Sequence, residues 1–114
     1  MKVAIYHNPR CAKSRETLHL LRDRGIEPRV VEYLKTPPSV TELKHLLTLL
    51  GMTPREIIRH KEPEYKKTGL NDAAGDAELL HAMIEYPILI ERPIVVAGNK
   101  AALGRPPENV LTIL

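Results

Sequence analysis

The stretch VAIYHNPRCAKSRETLHLLRDRGIEPRVVEYL, residues 3–34, decides the fold. It opens on a short apolar run, Val3 to Tyr6, that ends at the turn signal Asn8-Pro9. A continuous run of this kind, without polar alternation, reads as a strand covered on both faces. Residues 12–24 then place Thr17, Leu18 and Leu21 on one helical face, with Gly25 as the stop. Residues 29–34, RVVEYL, read as a second strand. Strand, helix and strand in so few residues make a βαβ unit, which implies a right-handed crossover and a parallel pair.

Further along, Ser39 and Glu42 match a capping box, and Leu43, Leu46, Leu47 and Leu50 follow at helical spacing up to Gly51. Thr53-Pro54-Arg55-Glu56 repeats the start signal with proline at the first helical position. A further helix is expected from Asp76 to about Tyr86, burying Leu79, Leu80 and Met83. Residues 88–90 (ILI) and 94–97 (IVVA) are rich in strand formers, and Gly98-Asn99 lets residues 100–103 (KAAL) pair back as a hairpin. After Arg105-Pro106-Pro107, residues 108–114 suit a closing helix. The order βαβ, helices, ββα is that of an α/β chain with a thioredoxin-like fold and a mixed sheet. Residues 1–114 read as a single domain with a helical insertion over about 39–86, and 114 residues bury about two-thirds of the unfolded surface.

No apolar run approaches the ~20 residues of a membrane-spanning helix, so no membrane association is expected. The N-terminal MKVAIYHNP carries too short an apolar run for a signal peptide. Cys11 is the one cysteine and cannot close an internal disulfide, which makes the cytoplasm the expected compartment. The formal net charge is +3, yet residues 1–35 hold eight Lys and Arg against four Asp and Glu. That surplus around Cys11 suits a small anion. It does not suggest nucleic acid, because no dense basic stripe exists and the chain has no Trp, no Phe and four Tyr for base stacking.

With the strand ending near Tyr6 and the helix starting after Cys11, the thiol falls at a helix N-terminus, where unpaired amides favour negative charge. Arg10, Lys13 and Arg15 add cations nearby. Each factor favours the thiolate, which is the nucleophile, over a buried and inert side chain. Two familiar thiol motifs fail on counting. The phosphatase loop C-x5-R would need Arg where Thr17 stands, and the dithiol motif C-x-x-C would need Cys where Ser14 stands. An adduct on Cys11 must therefore be released by an external thiol.

Arg59, Arg92 and Arg105 each sit at a segment edge, and the last two precede proline, which biases their backbone to extended conformations. If they converge, three guanidinium groups make a strong oxyanion site; taken singly, each reads as a surface charge. His7 could hydrogen-bond the loop, tune the thiol, or be a structural loop histidine. His19, His45, His60 and His81 lack ligand spacing, so no metal is expected. Glu62, Glu64, Asp72 and Asp76 read as solvated charges. No G-x-G-x-x-G or P-loop occurs, so no nucleotide cofactor is implied.

IYHNPRCAKSRETL, VVEYLKTPPS, RPIVV and GRPPE, in this order over essentially the whole chain, resemble the glutaredoxin-coupled arsenate reductase family. This thioredoxin-fold group includes the Spx-type transcription regulators. The resemblance implies that Cys11 attacks arsenate or another small oxyanion, with Arg59, Arg92 and Arg105 binding it. It also implies that His7 is the loop histidine, that Ser14 hydrogen-bonds the thiolate, and that Pro93 is the cis-proline facing the cysteine. No bound cofactor is implied. Glutathione would be the co-substrate that attacks the adduct, and glutaredoxin the partner that clears the mixed disulfide. A monomer is the expected state. Two departures are a C-terminus that stops soon after Arg105 and the variable loop residues RCAKS. Two other readings use the same residues: a glutathione-linked thiol oxidoreductase acting on another substrate, and a Spx-like regulator that binds RNA polymerase. Ser14 counts against the latter, since the redox-switching regulators carry C-x-x-C.

Overall fold

A computed structural model describes residues 2–114. Its elements are β1 (Val3–Tyr6), α1 (Ala12–Asp23), β2 (Arg29–Val31), α2 (Val40–Leu50), α3 (Pro54–Ile57), α4 (Pro63–Lys67) and α5 (Asp76–Glu85), then β3 (Ile94–Ala97) and β4 (Lys100–Leu103). Two 3-10 turns, Pro87–Leu89 and Pro107–Ile113, flank the final strands. The chain divides into a unit made of residues 1–36 and 92–114 and a unit made of residues 37–91. Among the described residues, no helix is long and apolar enough to cross a membrane.

The first unit is the βαβ reading completed by the C-terminal hairpin. Its sheet runs β2-β1-β3-β4, with β1 parallel to β2 and antiparallel to β3, and β3 antiparallel to β4. Ile5 stands opposite Val95 in the central pair, and both are fully buried with Leu21 of α1 and Val110 of the last turn. Each such side chain contributes about 1.5–3 kcal/mol of transfer free energy, so this cluster holds α1 and the C-terminal turn on one face of the sheet. At the end of α1, Gly25 takes a φ of 77° and the Ile26 amide reaches back to the Leu21 carbonyl, so the helix stops where a residue with no Cβ allows it.

The second unit is helical. The Ser39 hydroxyl accepts from the Glu42 amide at the start of α2, and Thr53 with Glu56 forms a reciprocal capping box before α3. Leu43, Leu46 and Leu47 of α2 and Leu79, Leu80 and Met83 of α5 are buried, and α5 packs on α2 and α3.

Three sequence expectations change, and one element is new. The strand over 29–34 stops at Val31, because the Glu32 carbonyl collects the amides of Lys35 and Thr36 and turns the chain before Pro37. Residues 88–90 are not a strand. Pro87 starts a 3-10 turn instead, the amides of Leu89 and Ile90 bond locally, and Ile90 keeps one antiparallel bridge to Ile58. The closing helix over 108–114 is a 3-10 helix, Pro107–Ile113. Finally, Pro63–Lys67 forms a short helix that no periodicity announced.

Candidate functional site

The strand register assembles the site. Tyr6, at the end of β1, stands opposite Ile94 at the start of β3, and Ile94 stands opposite Leu103 at the end of β4. The segments just beyond these three residues therefore meet at one end of the sheet: the 7–11 loop, Arg92-Pro93, and Gly104-Arg105. Residues about ninety positions apart become neighbours.

Asn8 builds the loop. Its side-chain oxygen accepts from the Arg10 amide at 3.0 Å, its carbonyl accepts from the Cys11 amide at 3.0 Å, and its amide donates to the Ser14 hydroxyl at 3.0 Å. This local turn, of a kind asparagine favours, leaves Cys11 as the extended residue that caps α1. Only the turn-forming half of Asn8's role is visible in Asn-Pro; the bond to Ser14 is tertiary.

The Cys11 thiol is half-buried, and burial by itself pushes its pKa up. The opposing groups prevail: the Ser14 amide, then the hydrogen bond and positive charge of Arg92, then the Lys13 amide, so the thiol lies below its ordinary range. Sγ makes no cap hydrogen bond of standard geometry, so the Ser14 and Lys13 amides act chiefly as oriented dipoles. Arg105 Nη1 lies 3.9 Å from Sγ and donates to the Arg92 carbonyl at 3.1 Å. Arg92 is 8% exposed, with most of its solvent removed, whereas Arg105 is exposed.

The loop cations are placed differently from the sequence expectation. Arg15 donates to the Pro9 carbonyl at 3.0 Å and Lys13 pairs with Glu16 at 3.5 Å; the guanidinium acting on the thiol is that of Arg92. The Ser14 hydroxyl does not bond the sulfur. It is fully buried, joined to His7 Nδ1 at 2.6 Å and accepting from Asn8, so Ser14 reaches Cys11 through its backbone amide. His7 is buried, and that burial lowers its pKa and keeps the ring neutral. The Arg92–Pro93 peptide is cis, and the Pro93 carbonyl accepts from the Gly104 amide at 2.9 Å.

Arg59 belongs to the other unit. Its backbone amide donates to the Leu89 carbonyl at 2.7 Å, and its guanidinium meets Glu62 at 3.1 Å and Glu91 at 2.7 Å. Burial alone would lower its pKa, but Glu91 and then Glu62 raise it, which locks in the positive charge. Glu62 is thus not a solvated charge, because half of its role is the pair with Arg59 three residues earlier; the Glu91 contact needed the pairing of residues 57–59 with 89–91. Among the described residues, no group of three or more His, Cys, Asp or Glu side chains is arranged to hold a metal ion.

The chain is similar to known proteins over essentially its whole length. The ArsC family pattern matches residues 6–113. The uncharacterised Escherichia coli K12 protein YfgD is 55% identical over 99% of this chain and 97% of its own length. The Rhizobium meliloti arsenate reductase is 53% identical over 100% of this chain and 82% of its own length. A solved structure of the arsenate reductase from Vibrio cholerae superposes with a TM-score of 0.95 at 54% identity, covering 100% of this chain and 98% of that one. The four-stranded mixed sheet is therefore the thioredoxin-like fold of those structures, and the chain belongs to the ArsC family.

Proposed function

We propose that this chain is an oxidoreductase that reduces arsenate to arsenite, with Cys11 as nucleophile and glutathione and glutaredoxin as external reductants. The observation that carries this reading is the Cys11 turn with Arg92 and Arg105 brought against it: a thiol whose pKa is held below its ordinary value, beside two cations suited to an oxyanion. The names of the relatives supply the arsenic; the single cysteine supplies the need for a second thiol.

In the first step the Cys11 thiolate attacks arsenic(V), one arsenic oxygen leaves as water, and a sulfur–arsenic bond forms. Arg92 and Arg105 carry the negative charge of the oxyanion. Arg59 joins them in this reading on the strength of the family resemblance, and an arriving anion there competes with Glu62 and Glu91. Next, the glutathione thiol attacks Cys11 sulfur. A disulfide forms, the electron pair of the broken sulfur–arsenic bond stays on arsenic, and arsenite leaves as arsenic(III) with the thiol proton on oxygen. Glutaredoxin then takes the glutathionyl group and restores the thiol. The buried pair of His7 and Ser14 fixes the loop, and on the family resemblance Pro93 faces the cysteine. The chain acts as a cytoplasmic monomer in this scheme.

The purified protein with glutathione and glutaredoxin is expected to convert arsenate to arsenite, and Cys11→Ser to abolish turnover. Wild-type turnover no better than that of the variant refutes the proposal.

A further inference from the structure

Next to the Cys11 turn lies a cleft of about 520 Å³ within the first unit. One wall is the turn itself, with His7, Pro9 and Arg10; the other is the chain after β2, with Glu32, Leu34 and Lys35. We propose that this cleft seats the second thiol as a small peptide of defined charge, two carboxylates and one ammonium, which is the charge set of glutathione. The inference rests on the thiol-relay reading above and adds where the co-substrate binds.

Three observations support it. The volume lies within the ~300–1,000 Å³ usual for small-molecule sites. The charges mirror the ligand: Arg10 and Lys35 can take its two carboxylates and Glu32 its ammonium, while His7 stays neutral and adds nothing. Pro9 and the 38% exposed Leu34 offer apolar surface to the methylenes between those charges. In the unliganded chain Lys35 Nζ lies 3.7 Å from Glu32 Oε1, with both side chains largely in water. Such a pair is weak and yields to ligand charges.

One wall of the cleft belongs to the turn that carries the reacting cysteine. Arg10 directly precedes Cys11, and the Asn8 carbonyl on the same turn holds the Cys11 amide at 3.0 Å. None of the arginines assigned to the oxyanion lines it, so both reactants can be bound at once. The bound thiol attacks Cys11 sulfur in the arsenic adduct. The new bond is sulfur–sulfur, the broken bond is sulfur–arsenic, and arsenic gains the two electrons that the two thiols lose.

The test needs no arsenic. Cys11 of the full chain is glutathionylated by glutathione disulfide, with release of one glutathione, and the rate is compared with that of the neutral bis(2-hydroxyethyl) disulfide. Wild type is expected to favour glutathione disulfide. Arg10→Gln and Lys35→Gln should each lower that preference about three- to fivefold, the size of a lost partly exposed charge contact. Lys100→Gln, an exposed change on β4, should retain it. The same preference in all four proteins overturns the proposal, as does a rise in the KM for glutaredoxin with glutathione selectivity intact, which would make the cleft a protein-docking surface. A protein with this preference that reduces no arsenate leaves the cleft standing and removes only the arsenate reading. Arsenate turnover with an unchanged KM for glutathione in both cleft variants removes the cleft alone.

Discussion

Gly104→Ala tests the packing that delivers Arg105 to the thiol. Gly104 is buried, and its backbone is not in the left-handed region, so the substitution acts through space alone. A Cβ there would meet Pro93 Cγ at 2.7 Å and Thr17 Cγ2 at 3.0 Å, with Thr17 Oγ1 nearer still. None of these can yield cheaply. Thr17 is fully buried with its hydroxyl donated to the Lys13 carbonyl at 2.7 Å, and the Pro93 ring is rigid. Overpacking of this kind costs about 1–3 kcal/mol, and two immobile neighbours place Gly104→Ala in the upper half of that range. At roughly 4 °C per kcal/mol for a chain of this size, the Tm should fall by about 8–12 °C. Urea denaturation followed by circular dichroism should show a lower midpoint with the same m-value. Thr17→Ala removes two of the three contacts, so the double variant should be more stable than the two single costs predict, by about 1 kcal/mol. A Gly104→Ala protein within ~0.5 kcal/mol of wild type, or strict additivity in the double variant, would refute the packing argument.

Two further outcomes concern titrating groups. The rate of Cys11 alkylation by iodoacetamide should rise with pH through a midpoint below that of an ordinary thiol, and Arg92→Gln should move it upward by removing a hydrogen bond and a charge; a midpoint unmoved by the substitution sinks that assignment. Burial holds the His7 pKa below 6.5, so the folded state binds fewer protons than the unfolded one. The resulting stability is complete above the unfolded pKa and is lost as pH falls below it toward the folded value. His7→Asn should therefore show a shallower decline as pH falls below about 6.5, the difference being at most ~1.4 kcal/mol per pH unit, and parallel stability curves would contradict the assignment.

The parts legible in the sequence are those coded locally. An apolar run, Asn8-Pro9 and a thirteen-residue helical pattern suffice to put Cys11 at the head of α1, because each signal acts within one or two turns of chain. The caps at Ser39 and Thr53 are equally local. What is not legible depends on partners far away. ILI at 88–90 has strand-forming side chains, but the carbonyls of Tyr86 and Pro87 take the amides of Leu89 and Ile90 first. The family resemblance makes Ser14 a thiolate ligand, yet the His7 ring, brought down by β1, claims its hydroxyl. Glu91 gives no signal at all, because its pairing with Arg59 exists only once residues 57–59 and 89–91 lie side by side.

The order in which β1 finds its neighbours has a temporal consequence. Its parallel partner β2 follows within about thirty residues, but its antiparallel partner β3 begins only at Ile94, after the whole helical unit. Arg92 and Arg105, the guanidinium groups beside Cys11, arrive with that late segment. On the ribosome, a chain that has already displayed Cys11 at the head of its helix has not yet acquired them. Full activation of the thiol waits for the C-terminal hairpin, so a truncated or half-made chain carries a thiol with weaker charge stabilisation than the finished protein.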